Sequence, residues 1–149
     1  MSGLVLRPAS PEDAEALGRV AYDSFHRAFA GIMSPAALAQ RPLPFFVERF
    51  GEQWPYVTVA AEGDRVVGFS MVRHQHIDML FVDPATQARG IGKALLVAAE
   101  AAGARSLECF RNNQEARDFY EKHGWTFDHA RRRSFCGEDY DFVTYSKAR

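Results

Sequence analysis

Two glycines, Gly90 and Gly92, flank Ile91 in the stretch QARGIGK, where an apolar run ending in Leu80, Phe81 and Val82 hands the chain to the helix-like KALLVAAEAAG. Glycine lets a backbone approach a ligand closely, and the unpaired amides at a helix N-terminus aim partial positive charge at an anion. The chemistry such a corner offers is phosphate binding. A structural turn would leave the same spacing, so the two glycines by themselves leave both readings open. Two common phosphate loops do not fit. A Walker A loop needs glycine where Gln87 stands and Ser or Thr where Ala94 stands, and a dinucleotide fingerprint needs a third glycine where Leu95 stands. These residues count against a mononucleotide-binding module.

The elements that must position this corner can be read from periodicity. LVLR, Leu4 to Arg7, is a short strand, after which Ser10 supplies an N-cap with Pro11 at the first helical position and Glu12 and Asp13 in the first turn. Ala14, Leu17, Ala21, Phe25 and Ala28 continue at helical spacing to about Phe29, and Pro35, Pro42 and Pro44 then break the pattern into shorter pieces ending near Phe50. VTVAA, the turn EGD and RVVGFSMVR form a hairpin, and HIDMLFV follows as a third strand. Alternation there puts Ile77, Met79 and Phe81 on one face and Asp78, Leu80 and Val82 on the other.

After the glycine corner, Ile91, Ala94, Leu95, Ala98, Ala99 and Ala102 form an apolar helix face closed by Gly103. SLECF is the next strand, parallel to HIDMLFV because a helix carries the chain back. NNQEARDFYEKHG reads as another helix, with Asn112 and Glu115 as its capping box and Gly124 just past its end. The closing stretches WTFDHARRRSF and DYDFVTYS read as an antiparallel pair.

Composition sets the bounds. With 149 residues of which 47% are hydrophobic, the chain can bury a core, and a single domain spanning 1–149 is expected. A net charge of -1 supplies no global field for nucleic acid or an anionic membrane, so neither is expected as a partner and any anion site is local. Cys109 and Cys136 are too few for a disulfide framework, and MSGLVLRPAS lacks the features of a signal peptide, so a cytoplasmic location is expected. No apolar stretch reaches the roughly 18 residues of a membrane span, and no ligand-spaced Cys and His cluster suggests a metal.

The order strand, Gln87-x-x-Gly90-x-Gly92, helix, strand, then Asn113-x-x-Ala116-x-x-Phe119-Tyr120-x-x-x-Gly124-Trp125 resembles the GNAT superfamily of N-acetyltransferases, most strongly from about Val57 to Phe127. The resemblance implies a mixed α/β domain, its central, mostly antiparallel sheet holding one splayed parallel strand pair, with helices on both faces. It implies that Gln87, Ala88, Arg89, Gly90, Ile91, Gly92 and Lys93 hold the pyrophosphate of coenzyme A. The pantetheine arm would pair with the open backbone of Leu80, Phe81 and Val82, a form of strand addition. Asn113 is a cofactor contact in this reading and a helix cap in the local one.

The implied reaction moves an acetyl group from acetyl-CoA directly to a primary amine of a small molecule or peptide. A lysine-like amine has a pKa near 10.4, so deprotonation at neutral pH costs roughly 4 kcal/mol and calls for a base or a water chain. Resemblance to ribosomal-protein N-terminal acetyltransferases suggests Glu108 as that base, and resemblance to some histone acetyltransferases suggests His76. The local readings are a solvated strand carboxylate and a strand-end surface histidine, and Asp78 or water remains a further source. Helical spacing places Tyr120 beside Ala116 and Phe119 as core, whereas the resemblance makes it the acid that protonates the departing thiolate. Burying that thiolate raises its basicity enough to take a phenolic proton.

Arg131, Arg132 and Arg133 read as a solvated basic run that could also meet an acidic substrate or the 3′-phosphate of coenzyme A, with Glu138, Asp139 and Asp141 available to neutralise it. Tyr22, Phe25, Phe29, Phe45, Phe46 and Phe50 fall in the helical regions that wall the acceptor site in the superfamily, though core packing accounts for most such aromatics. Transfer of another acyl group, or acyl-CoA binding without catalysis, are the alternatives. A homodimer is left open.

Overall fold

The computed structural model describes residues 3–86 and 90–148. In chain order its elements are β1 (Leu4–Pro8), α1 (Ala14–Phe29), α2 (Pro35–Leu38), α3 (Leu43–Gln53), β2 (Val57–Glu62), β3 (Arg65–Arg73), β4 (His76–Val82), α4 (Ile91–Ala101), β5 (Ser106–Phe110), α5 (Gln114–Lys122), β6 (Thr126–Phe135) and β7 (Glu138–Ser146). At the entry to α1, the Ser10 amide donates to Asp13 Oδ2 at 2.8 Å, and a single tight turn of Pro11–Asp13 leads into the helix. Arg7 of β1 grips the same carboxylate at 2.8 and 2.9 Å, tying strand to helix.

The strands form one sheet in the order β1-β2-β3-β4-β5-β7-β6, antiparallel throughout except between β4 and β5. Helices cover both faces. On one, α1, α2 and α3 close over a cluster containing Phe25, Phe46, Phe50, Phe69 and Phe110. On the other, α4 and α5 close over Ile77, Leu95, Leu96, Leu107 and Tyr145. Burying side chains of this size contributes about 1.5 to 3 kcal/mol each, so the sheet is anchored from both sides. Helices α1 and α3 cross at Gly18, where a Cβ would stand 2.5 to 2.9 Å from atoms of Val47. Any larger residue there would push apart the two helices that roof the sheet.

The parallel pair is short. β4 and β5 pair only at His76 with Ser106 and Ile77 with Leu107, after which β4 continues along β3 and β5 along β7. The strands therefore diverge and leave a wedge in the sheet.

Two expectations need correction. Regular alternation in β4 fails at its start: Met79 pairs with Met71 and Ile77 with Val72, leaving Asp78 as an extra residue in a β-bulge. The bulge reverses the pleat, so Ile77 packs on the α4–α5 face with Leu80, while Met79 and Phe81 face α1 and α3. The expected capping box of Asn112 and Glu115 does not form, and the α5 cap is Asn113, as its local reading had it, whose side chain accepts from the Ala116 amide at 3.1 Å. Two adjacent asparagines offer the same cap chemistry, and the hydrogen bond goes to Asn113, which stands just before the first helical residue Gln114 and so reaches the third amide of the helix.

Candidate active site

The wedge between β4 and β5 is a cavity of about 320 Å³ that passes through the sheet. Phe25, Phe29, Phe45 and Phe46 line it from the α1–α3 side, and Asn113, Ala116 and Tyr120 line it from α5. Alternation along β5 sends Glu108 and Phe110 toward α1 and α3, and Leu107 and Cys109 toward α5. A carboxylate and a phenol thus face one channel from opposite sides of the sheet.

Tyr120 is only 9% exposed, its ring set edge-on to Phe119 with centroids 5.3 Å apart and to Trp125 at 6.4 Å. Trp125 is in turn fixed by its indole N–H to Glu100 at 2.9 Å. Among the described residues, none hydrogen-bonds the Tyr120 hydroxyl. Burial, and then the neighbouring Cys109, push its pKa well above the usual phenol value, so it is protonated at any working pH. Burial likewise drives the Cys109 thiol up to about 11, with Glu108 and Glu121 adding to the rise and Arg117 opposing it. Cys109 is thus an unionised thiol, unsuited to form an acyl-enzyme.

Glu108 is held by two arginines, accepting from Arg131 Nε at 2.9 Å and from Arg133 Nη2 and Nε at 2.7 and 3.1 Å. Burial pushes its pKa up, but the hydrogen bonds and charges of Arg133 and Arg131 outweigh burial and hold the carboxyl below its ordinary value. His76 lies at the closed end of the β4–β5 pair, where its Nδ1 meets Ser106 Oγ at 2.8 Å, and it does not line the cavity. Asp78, the bulged residue, does line it, and accepts from Arg73 Nε at 3.0 Å.

On the donor side, Leu80 and Phe81 edge the wedge, and the Val82 carbonyl accepts from Ser24 Oγ of α1 at 3.0 Å. Gly90 caps α4 in the left-handed conformation, φ 76° and ψ 15°, a geometry costing a larger residue about 1 to 2 kcal/mol. The amides of Ile91, Gly92 and Lys93 fall in the first turn, where a helix has no internal acceptors for them. A Cβ on Gly92 would stand 3.4 Å from Phe119 and 3.7 Å from Val82, in the space between α4, α5 and the end of β4. Gln87, Ala88 and Arg89 lie outside the described residues. These features fit an extended thioester carrying a phosphate group: an anion seat at α4, then an open strand edge, then the wedge. Asn113 lines the wedge while capping α5 through its Oδ1.

Sequence reasoning missed Arg41 and Arg49 on the other side, while Arg133 belongs to the basic run it had singled out. Arg41, Arg49 and Arg133 line the cavity with the aromatics, Arg41 stacking over Phe45 at 4.3 Å and Arg133 over Phe142 at 3.9 Å. Part of the signal was present in Phe45 and Arg49, four residues apart on α3, whereas Arg41 precedes the helix and is brought to the cavity only by the fold. The basic run is mostly engaged within the fold, since Arg131 and Arg133 bind Glu108 and Arg132 binds Asp141 at 3.1 Å. Of the six aromatics assigned to the acceptor wall, Phe25, Phe29, Phe45 and Phe46 line the cavity, whereas Phe50 is wholly buried against Phe69 and Tyr22 packs on His26. Among the described residues, no three His, Cys, Asp or Glu side chains group to hold a metal ion, and no helix is long and apolar enough to cross a membrane.

Comparison with known proteins gives the same picture. The family model described as an acetyltransferase (GNAT) domain matches residues 53–127. The peptidyl-lysine N-acetyltransferase YjaB of Escherichia coli is 32% identical over 80 residues, 53% of this chain and 54% of that protein, so the match spans about half the length of this curated relative. Among solved structures, the GCN5-related N-acetyltransferase of Rhodopseudomonas palustris is 30% identical with a TM-score of 0.77, covering 99% of this chain and 97% of that one. The PaiA N-acetyltransferase of Thermoplasma acidophilum, solved with coenzyme A, shares the fold at 22% identity and a TM-score of 0.75, over 99% of this chain and 100% of that one. Half of the chain matches the family model and nearly all of it aligns with the Rhodopseudomonas structure, and the chain belongs to the GNAT family of acetyltransferases.

Proposed function

We propose that the chain transfers the acetyl group of acetyl-CoA directly to a primary alkyl amine in the wedge between β4 and β5. The observation that carries this is the opening through the sheet, with Glu108 reaching it from one face and Tyr120 from the other. Donor and acceptor can enter from opposite faces and meet without displacing one another. The complex of PaiA with coenzyme A and the lysine acceptor in the name of YjaB support the two substrate classes.

In this reading the α4 amides bind the pyrophosphate and the edge of β4 guides the pantetheine into the wedge. The amine nitrogen attacks the thioester carbonyl, a C–N bond forms, and the C–S bond breaks as the tetrahedral intermediate collapses. Tyr120 gives its proton to the departing sulfur and recovers one from the attacking nitrogen by way of cleft water. Burial that lifts the neighbouring Cys109 thiol to about 11 would raise the basicity of a leaving thiolate as well, alongside the raised Tyr120 phenol that faces it. Glu108, ionised and gripped by two arginines, is a weak proton store, so its part is to accept a hydrogen bond from the amine while water carries the proton away. The positive cleft helps, because nearby guanidinium groups disfavour the ammonium form. His76, outside the wedge, has no part in this reading.

The direct test is release of free thiol from acetyl-CoA with a panel of alkyl amines and lysine peptides, the acetylated product being identified by mass spectrometry. Amine-dependent thiol release is the expected result. Coenzyme A binding without turnover on any amine would leave a binding module in place of an enzyme.

A further inference from the structure

The acceptor end of the wedge holds more positive charge than its carboxylates satisfy. Both carboxylates are taken, Glu108 by Arg131 and Arg133 and Asp78 by Arg73. Arg41 and Arg49 line the same cavity, and neither makes an ion pair among the described residues. The only side-chain hydrogen bond that Arg41 donates among them is from Nη1 to the Gln40 carbonyl at 3.2 Å, its guanidinium carbon standing over the Phe45 and Phe135 rings at 4.3 and 5.3 Å from their centroids. Arg49 is less satisfied still. Its Nε is buried with no hydrogen-bond partner among the described residues, and its surroundings disfavour its charge, first by burial and then through Arg73 and Arg41, with Asp78 opposing them.

An orphaned guanidinium donor in a partly desolvated cavity is costly, and a planar carboxylate satisfies it with two parallel bonds. Arg49 stands on α3 and Arg41 two residues before that helix begins, and both line the cavity with Phe45 between them in the chain. The phosphates of coenzyme A do not account for them. The glycine corner belongs to the α4–α5 face, whereas Arg49 on α3 and Arg41, over Phe45 and Phe135, sit on the opposite face.

We propose that the acceptor is a small amino carboxylate, its acid group bound by Arg41 and Arg49 while its amine enters the wedge beside Glu108. This deepens the acetyl-transfer reading and rests on it. The aromatics between the two ends supply apolar walls for a short methylene chain, and a cavity of about 320 Å³ is at the scale of a small-molecule site. Arg41 and Arg49 would then be specificity residues that bind the part of the acceptor that does not react.

The test compares γ-aminobutyrate, ε-aminocaproate and lysine with their matching carboxamides in acetyl-CoA thiol release. Charge-assisted hydrogen bonds to a carboxylate predict kcat/KM higher by about 10- to 100-fold for at least one acid over its amide. Arg49→Met and Arg41→Met should bring that ratio close to one by raising KM for the acid, and Arg49→Lys should restore part of it. The coenzyme A-induced rise in Tm, measured on each variant, confirms that the fold and donor site are intact. Equal use of every acid and amide by the wild type, a ratio unmoved by both Met variants, or faster acetylation of a lysine peptide with neutral flanks overturns the proposal while acetyl transfer stands. If no amine of any kind is acetylated, the acetyl-transfer reading fails first and this proposal falls with it.

Discussion

Tyr120 differs from the other buried aromatics in having a hydroxyl that the fold does not use. Tyr145, by comparison, donates to Glu121 and accepts from Arg117, so its oxygen is structural. The Tyr120 hydroxyl has no partner among the described residues and opens on the wedge. Tyr120→Phe keeps the ring that Phe119 and Trp125 pack against and removes only that oxygen. kcat should fall by about 10² to 10⁴, the span of general acid catalysis, while Tm and coenzyme A affinity hardly move. Full activity in the variant, measured beside Tm on one preparation, would remove Tyr120 from the mechanism. Little of this was legible residue by residue. Helical spacing correctly made Tyr120 core, and only the family pattern gave it chemistry. The arginine clamp on Glu108 was not readable, because Arg131 and Arg133 lie 23 and 25 residues away and reach it only through β6–β7 pairing.

At the scale of elements, periodicity and caps were read well where the signal is local, and less well where one residue breaks the rule. Ser10, Pro11 and Asp13 announced α1, but nothing in HIDMLFV announces that Asp78 is a bulge that turns Ile77 over. The strand divergence was legible only through the family pattern, since no local propensity encodes where two parallel strands stop pairing. The α1 entry has a pH signature of its own. Hydrogen bonds from Arg7, helped by the Ser10 amide, lower the Asp13 carboxyl from the ordinary 3.8 to about 2 against the opposing effect of burial. A depressed carboxyl contributes stability that is fully present above its unfolded value and lost as pH falls through its folded value. Asp13→Asn should therefore lower Tm by a constant amount from pH 7 to about 4.5, and the difference should shrink as pH is taken down toward 2. A difference in Tm that stays uniform down to the lowest pH would mean that the Arg7–Asp13 pair does not link β1 to α1 energetically.

For the molecule as a whole, the sheet is a partition that opens where β4 and β5 diverge. In the proposed reading the cofactor would lie on the α4–α5 side and the amine among the aromatics and arginines on the α1–α3 side, so each substrate would stabilise a different layer of the same sheet. Ligand that binds only the folded chain adds stability in proportion to the logarithm of its concentration. At one hundred times its Kd, coenzyme A should contribute about 2.7 kcal/mol, equivalent to a rise in Tm of about 5 to 11 °C for a chain of this size. Gly92→Glu separates this from folding. The Cβ position has ordinary contact distances to Phe119 and Val82, and a carboxylate in the first turn of a helix is favourable to the helix itself. The ligand-free Tm of the variant should therefore stay near that of the wild type. The same carboxylate repels an incoming pyrophosphate, so the rise in Tm with coenzyme A should disappear, as should thiol release at low acetyl-CoA. Thermal scans with and without coenzyme A on both proteins decide the matter: a variant that keeps the full ligand-induced rise would show that the anion seat is not at the N-terminus of α4.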